Sequence, residues 1–462
     1  MGITNEWAQL RAWRHGVRHT TLNPEGPGAV RIHLVPPRYR PGGKAPYVVI
    51  LNGYYVLPLG YAWAVLLENF IDEVDRYDGR PMGEAEMAKV SSETVRRTKR
   101  VYPGVPAAEL REDLEQMIGV LFDVARGDMP RCEIGAMSLR EYAPHMTAPH
   151  RMDLMVSAMT TSQGQWNCNL KCRHCYAAGQ PGAQGGELST EQWKTIIDRC
   201  RAAGIPQLTF TGGEPTMRED LPELISYARW FVTRLNTNGL RLTPALCRSL
   251  RQASLDSVQV TLYAADAAVH DRLVGLNDGW KKTAAGLRSA LETGLDVSVN
   301  APLCRDNAAC FPDTLEFLYK EGVRYVSCSG LIETGRASSD GSLSVQLEVG
   351  EMEAVLRQAA AFCREQGMEL SFTSPGRAAP ELLRELGLTV PMCGACLSNM
   401  AVAPDGTVVP CQSWLREGDG LGNLLHEPWK SIWSQPRCRQ IRGMGEEEAL
   451  YCPLRHEKEG KG

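Results

Sequence analysis

The sequence predicts an α/β protein: a partial (β/α)6 barrel, preceded by a small α+β domain and followed by a short cysteine-rich domain. Three observations predict it. Between about 150 and 340, apolar strand-like runs alternate with amphipathic helical stretches across short loops, the pattern of parallel strands joined by right-handed crossovers. Ahead of them, 28–127 reads as short strands and then helices. Behind them, the last 70 residues hold five cysteines. The expected domains are 1–130, 150–340 and 341–462.

In the first domain the strand candidates are 31–35, 47–53 and 54–59. A helix over about 62–77 sets Trp63, Leu66, Leu67, Phe70, Ile71 and Val74 on one face. A second helix covers about 84–101, and a third, entered after Pro106, carries Leu110, Leu114, Met117, Leu121 and Val124. The barrel strand candidates are 153–159, 207–212, 231–236, 257–263, 296–301 and 323–328. Ser189, with Gln192 three residues on, has the spacing of a capping box for the helix that follows the first of these. In barrels of this kind ligands gather at the loops after the strands' C-terminal ends. Beyond 340 come a helix (348–366), a strand (369–373) and a hairpin, APDGTVVP, turning at Asp405 and Gly406.

Composition narrows the function classes. A chain of 462 residues with 43% hydrophobic and 23% charged residues is that of a folded multidomain protein. No apolar run is long enough to span a membrane, and the polar N-terminus lacks a secretory core, so a cytoplasmic location is expected. A net charge of -4 gives no footprint for nucleic acid. Fifteen cysteines in a reducing compartment point to metal rather than disulfides. Cys132, Cys200, Cys247, Cys304, Cys310, Cys328 and Cys363 are scattered and read as small buried hydrophobes. The other eight form two groups.

The first, in WNCNLKCRHCY, places Cys168, Cys172 and Cys175 as C-x3-C-x2-C in the loop after the first barrel strand. Three thiolates on one loop can hold three irons of a cubane and leave the fourth iron open. Zinc, closed by His174, is the alternative, although structural zinc usually draws its ligands from two separated pairs. At the end of the second strand, TFTGGEP supplies Gly212, Gly213, Glu214 and Pro215. The glycines allow close backbone approach, and carbonyls with Glu214 can accept from a bound ammonium. NTNG, with Asn238, ends the third strand; after the sixth, Arg336 in ETGRA has the charge to meet a carboxylate of cofactor or substrate.

The second group holds Cys393, Cys396 and Cys411, spaced C-x2-C-x14-C, with Cys438 and Cys452 further on. It suits another iron-sulfur cluster, with a zinc ribbon as the alternative.

On these motifs, residues of about 150 to 340 resemble the radical S-adenosylmethionine superfamily, whose cluster motif is C-x3-C-x2-C with an aromatic residue beside the last cysteine, here Tyr176. The resemblance implies a TIM-like partial barrel, a 4Fe-4S cluster, S-adenosylmethionine and its reductive cleavage to a 5′-deoxyadenosyl radical. It implies that the GGEP segment meets the methionine amino group, that NTNG lies near the ribose, and that an electron donor such as flavodoxin or ferredoxin serves the cluster. The C-terminal segment is similar to the SPASM or Twitch auxiliary-cluster domain, in which a cysteine, nine to fifteen residues, a glycine, four residues and a cysteine recur; Gly406 and Cys411 fit. The longer form carries more cysteines than this chain has, so one auxiliary 4Fe-4S cluster is expected. Cys452 is preferred over Cys438 as the fourth ligand, because it stands where the family's downstream cysteines begin; with neither bound, the auxiliary cluster keeps an open iron.

The order of elements in the first domain resembles a RiPP recognition element, a winged-helix-like domain that adds a precursor-peptide leader to its sheet as a strand. That implies a peptide maturase forming a thioether or carbon-carbon crosslink or epimerising a residue. A small-molecule enzyme of haem, quinone-cofactor or sugar pathways is the alternative. A mere electron carrier has no use for an open iron beside an ammonium-binding motif.

Overall fold

Branched and aromatic runs near the start of the chain form an antiparallel sheet in the order β1 (Arg18–Leu22), β2 (Val30–Val35), β3 (Tyr47–Leu51), β4 (Tyr55–Leu59). The computed structural model describes residues 16–22, 30–37, 47–52, 55–77, 82–126, 139–338 and 345–456, so Cys132 and the terminal EKEGKG lie outside the described residues. Three helices follow: α1 (Tyr61–Val74), α2 (Glu84–Val101) and α3 (Ala107–Arg126). Ile32, Leu34, Val49 and Leu51 of the sheet close a core with Leu67, Phe70 and Ile71 of α1 and Leu114, Met117 and Leu121 of α3. Each such side chain, fully buried, contributes roughly 1.5–3 kcal/mol. The sheet has one strand more than the sequence predicted. RHTTL of β1 carries a single apolar residue, Leu22, and its buried Thr20 gives no hydropathy alternation.

The chain divides into two compact units, 1–150 with 201–206 and 151–200 with 207–462. The second holds a sheet of nine strands in the order β11-β10-β9-β8-β7-β6-β5-β12-β13. Its six central strands are β5 (Arg151–Ser157), β6 (Gln207–Gly212), β7 (Val232–Thr237), β8 (Ser257–Thr261), β9 (Asp296–Leu303) and β10 (Tyr325–Gly330), parallel in chain order. Strand period two sorts their side chains. Val258, Val260, Val297, Val299 and Val326 are buried, while Gln259, Asn300 and Ser327 alternate with them and bond to one another, Gln259 Nε2 to Ser327 Oγ at 3.3 Å and Ser327 Oγ to Asn300 Oδ1 at 2.9 Å.

The C-terminal segment adds strands to both edges of this sheet. β11 (Glu369–Phe372) pairs in parallel with β10, and β12 (Asn399–Val402) in parallel with β5; β13 (Val408–Val409) closes the hairpin. The hairpin turns where the sequence placed it: Gly406 takes φ +89° and Asp405 Oδ1 accepts from Thr407 N–H at 2.9 Å. Ser189 and Gln192 exchange the two bonds of a capping box, at 2.9 and 3.3 Å, ahead of the helix Thr190–Ala203.

Candidate active site

The loop after β5 carries Cys168, Cys172 and Cys175, all half-buried. Its base is fixed by Asn167 N–H to the Met159 carbonyl (2.9 Å) and by Trp166 Nε1–H to the Leu170 carbonyl (2.9 Å). Met155, Met159 and Ala177 pack on one side and Leu170, Tyr263 and Leu331 on another. Burial pushes the thiols up, Cys168 to about 12 and Cys172 further, and the other thiols add to both shifts. A thiolate there needs a bound cation to stabilise it, which irons provide. Cys175 acts on both Cys168 and Cys172, and three thiols on one loop are the donor set of a cubane cluster. Burial and Arg173 hold the His174 imidazole below its ordinary value against the pull of Asp306, and its Nδ1 is buried without a hydrogen-bond partner among the described residues.

Three residues beyond β10 return to this loop. Thr334 Oγ1 donates to the Tyr176 carbonyl (3.2 Å), Arg336 N–H to the Cys175 carbonyl (3.0 Å) and Arg336 Nη1 to the Cys172 carbonyl (3.2 Å). The Arg336 guanidinium also lies 4.4 Å from the centre of the Trp166 ring. Gly335, at φ +59°, passes so close that a Cβ would stand 2.4 Å from the Tyr176 carbonyl oxygen. Tyr176 lies within electrostatic reach of Cys175 and also of Cys411 from the second group. Sequence reasoning missed Trp166, Thr334 and Gly335; the Trp-x-Cys of the motif was the available signal for the first.

The GGEP segment ties β6 to its neighbours. A Cβ on Gly212, at φ +136°, would stand 2.3 Å from the Ser157 carbonyl oxygen, and one on Gly213 2.8 Å from that of Ala158. The two glycines therefore serve the approach of β6 to the end of β5. Glu214 Oε1 accepts from Thr216 N–H (3.0 Å), Thr216 Oγ1 (2.6 Å) and Thr237 Oγ1 (2.6 Å), and Oε2 from Asn238 N–H (2.8 Å). Burial raises the Glu214 carboxyl and these bonds pull it back. Asn238 Nδ2 in turn donates to Asn169 Oδ1 of the cysteine loop (2.6 Å). The Gly213 carbonyl accepts from the Cys168 thiol (3.3 Å). Pro215, buried, opens the short turn Pro215–Met217.

The second group is assembled from distant segments. Cys393 N–H donates to the Ala449 carbonyl (2.6 Å), Cys396 N–H to those of Asn399 and Pro410 (both 3.1 Å), and Cys411 follows β13. Arg455 N–H holds the Cys452 carbonyl (2.9 Å), while its guanidinium bonds the carbonyls of Pro375 (2.9 Å) and Leu331 (3.2 Å). Burial raises the Cys411 thiol, and Cys393 and Cys452 act on it in the same direction. Cys396 and Cys438 act on each other's thiols, raising Cys396 and lowering Cys438, and the Cys438 sulfur accepts from Arg442 Nη1 (3.4 Å). The scattered Cys200, Cys247, Cys304, Cys328 and Cys363 are buried; Cys310 is half-buried.

A model of the radical SAM superfamily matches residues 166–318, and one of the SPASM iron-sulfur cluster-binding domain matches 393–454. The chain belongs to the radical SAM superfamily and is a SPASM-bearing enzyme of that class. It is 30% identical over 293 residues to an AdoMet-dependent heme synthase of Oleidesulfovibrio alaskensis, covering 60% of this chain and 74% of the relative. The enzyme of the same name from Nitratidesulfovibrio vulgaris is 28% identical over 309 residues, 63% and 83% of the two chains. In fold it is similar to Streptococcus suis SuiB bound to precursor peptide SuiA, with a TM-score of 0.59 at 13% identity over 86% of this chain and 88% of that one. The domains imply a 4Fe-4S cluster, S-adenosylmethionine and auxiliary iron-sulfur chemistry. Among the described residues no helix is long and apolar enough to cross a membrane.

Proposed function

We propose that this radical SAM enzyme modifies a ribosomally made precursor peptide, with Cys168, Cys172 and Cys175 holding the catalytic 4Fe-4S cluster. Cluster and S-adenosylmethionine, when bound, supply a 5′-deoxyadenosyl radical that takes a hydrogen from the substrate. The chain's own groups position them. The Gly213 carbonyl, which takes the Cys168 thiol at 3.3 Å, would be open to an ammonium donor once Cys168 is a thiolate. Glu214, its oxygens already taking four donors, fixes the ends of β6 and β7. Cys393, Cys396, Cys411 and Cys452 are proposed to hold the auxiliary cluster, and a flavodoxin- or ferredoxin-type donor to supply electrons.

The observation that carries the peptide reading is the first unit. The fold likeness to SuiB takes in more of the chain than the second unit holds, whereas the heme synthases match less than two thirds of it. Among the described residues β4 is an edge strand, half-buried along its length. Pro58, opposite Val48, has no N–H to give to β3. That makes theirs a non-hydrogen-bonded pair, so Val56 and Pro58 face outward and Val56 offers both its N–H and its carbonyl to an added strand. The 30% identity to a heme synthase favours a second reading, a porphyrin substrate. Mass spectrometry after anaerobic turnover with each candidate decides. A mass change in a peptide encoded beside the gene, from a crosslink or, in deuterated buffer, from deuterium taken up on epimerisation, with the porphyrin returned intact, is the expected result; the converse overturns the proposal.

A further inference from the structure

Arg336 is held against the cysteine loop in three ways, although more than 160 residues separate it from Cys172. Its backbone N–H takes the Cys175 carbonyl, its Nη1 takes the Cys172 carbonyl at 3.2 Å, and its guanidinium carbon lies over the Trp166 ring, 4.4 Å from its centre. Trp166 is itself pinned through Nε1 to Leu170 within the same loop. The neighbouring Gly335, at φ +59°, lets the chain press onto the carbonyls of Cys175 and Tyr176. A guanidinium so fixed is a permanent positive charge, since it keeps its proton at any working pH.

We propose that Arg336 is a positioning residue that clamps the three-cysteine loop and raises the reduction potential of the cluster bound there. The proposal rests on the reading that these cysteines ligate the 4Fe-4S cluster. Reduction adds one negative charge to a half-buried site, and a fixed cation at the ligand backbone lowers the cost of that addition.

The test is an EPR-monitored potential titration of the reconstituted full-length enzyme, in which the signal altered by S-adenosylmethionine marks the first cluster. Arg336→Gln should lower the midpoint so that the reduced-to-oxidised ratio at fixed potential falls about threefold to tenfold, tenfold being about 59 mV for one electron. Arg336→Lys keeps the charge and should stay nearer the wild type than Arg336→Gln. Trp166→Leu leaves Arg336 in place without its aromatic face and should shift the midpoint the same way by less. If Arg336→Gln fails to load iron, Trp166→Leu carries the test. An unchanged midpoint in iron-loaded Arg336→Gln, or Arg336→Lys falling as far as Arg336→Gln, overturns the proposal. Full iron loading in a Cys168→Ala, Cys172→Ala, Cys175→Ala triple variant would instead remove the ligand reading beneath it.

Discussion

The two cysteine groups differ in how the chain builds them. The first lies within eight residues of one loop, which tertiary structure grips at the Asn169 side chain through Asn238 and at its carbonyls through Thr334 and Arg336. The second draws on a loop before β12, the end of the β12–β13 hairpin, the helix Pro436–Arg442 and the segment before Pro453–His456. A locally encoded site can be assembled by one loop; a distributed one exists only after the sheet has added β12 to β5. Loss of one cysteine should therefore have sharply different consequences in the two groups.

The largest expected effect is at the first. Cys168→Ala, Cys172→Ala or Cys175→Ala should each abolish formation of 5′-deoxyadenosine, followed by chromatography of anaerobic assays, because the electron for cleavage comes from that cluster. Wild-type rates in any of the three would break the comparison at its stronger side. At the second group, Cys393→Ala or Cys411→Ala should leave cleavage of S-adenosylmethionine measurable while substrate turnover falls by an order of magnitude or more, about the loss a disturbed metal site produces. If both activities fall together with soluble protein, the auxiliary cluster is chiefly a structural staple.

Cys452→Ala and Cys438→Ala sharpen the distributed site. Cys452 and Cys393 both act on the Cys411 thiol, whereas Cys438 accepts a bond from Arg442 Nη1. Iron analysis should find the auxiliary iron depleted in Cys452→Ala and retained in Cys438→Ala; the reverse pattern would exchange their roles. The smallest effect expected is that of Gly335→Ala. Forcing a side chain into its left-handed backbone costs about 1–3 kcal/mol, with the approach to Tyr176 adding to it, and should appear as a lower denaturation midpoint of the second unit.

The same contrast explains what was legible in the sequence. Branched apolar runs such as those in β3, β8 and β9 and the C-x3-C-x2-C spacing are local signals, and local signals survive without a structure. β1 was missed because RHTTL pairs two adjacent threonines with a single aliphatic residue, so no apolar alternation shows. The pairing of β12 with β5 was missed because nothing in a four-residue strand names the edge it will join. At the site, Glu214 was expected to meet a ligand, and the structure shows its oxygens accepting from Thr216, Thr237 and Asn238. The Gly212 and Gly213 signal was sound, but the close approach they permit is to Ser157 and Ala158. Arg336 was visible as a charge, while its seat between Trp166 and the Cys172 carbonyl depends on segments brought together from opposite ends of the barrel sequence.

The central claim, that two separately built cysteine groups each hold a four-iron cluster, is tested most directly by iron and sulfide analysis after anaerobic reconstitution. The account predicts about eight irons and eight sulfides per chain in the wild type and about four of each in the Cys168→Ala, Cys172→Ala, Cys175→Ala triple variant. About four in the wild type, or eight retained in the triple variant, would contradict it.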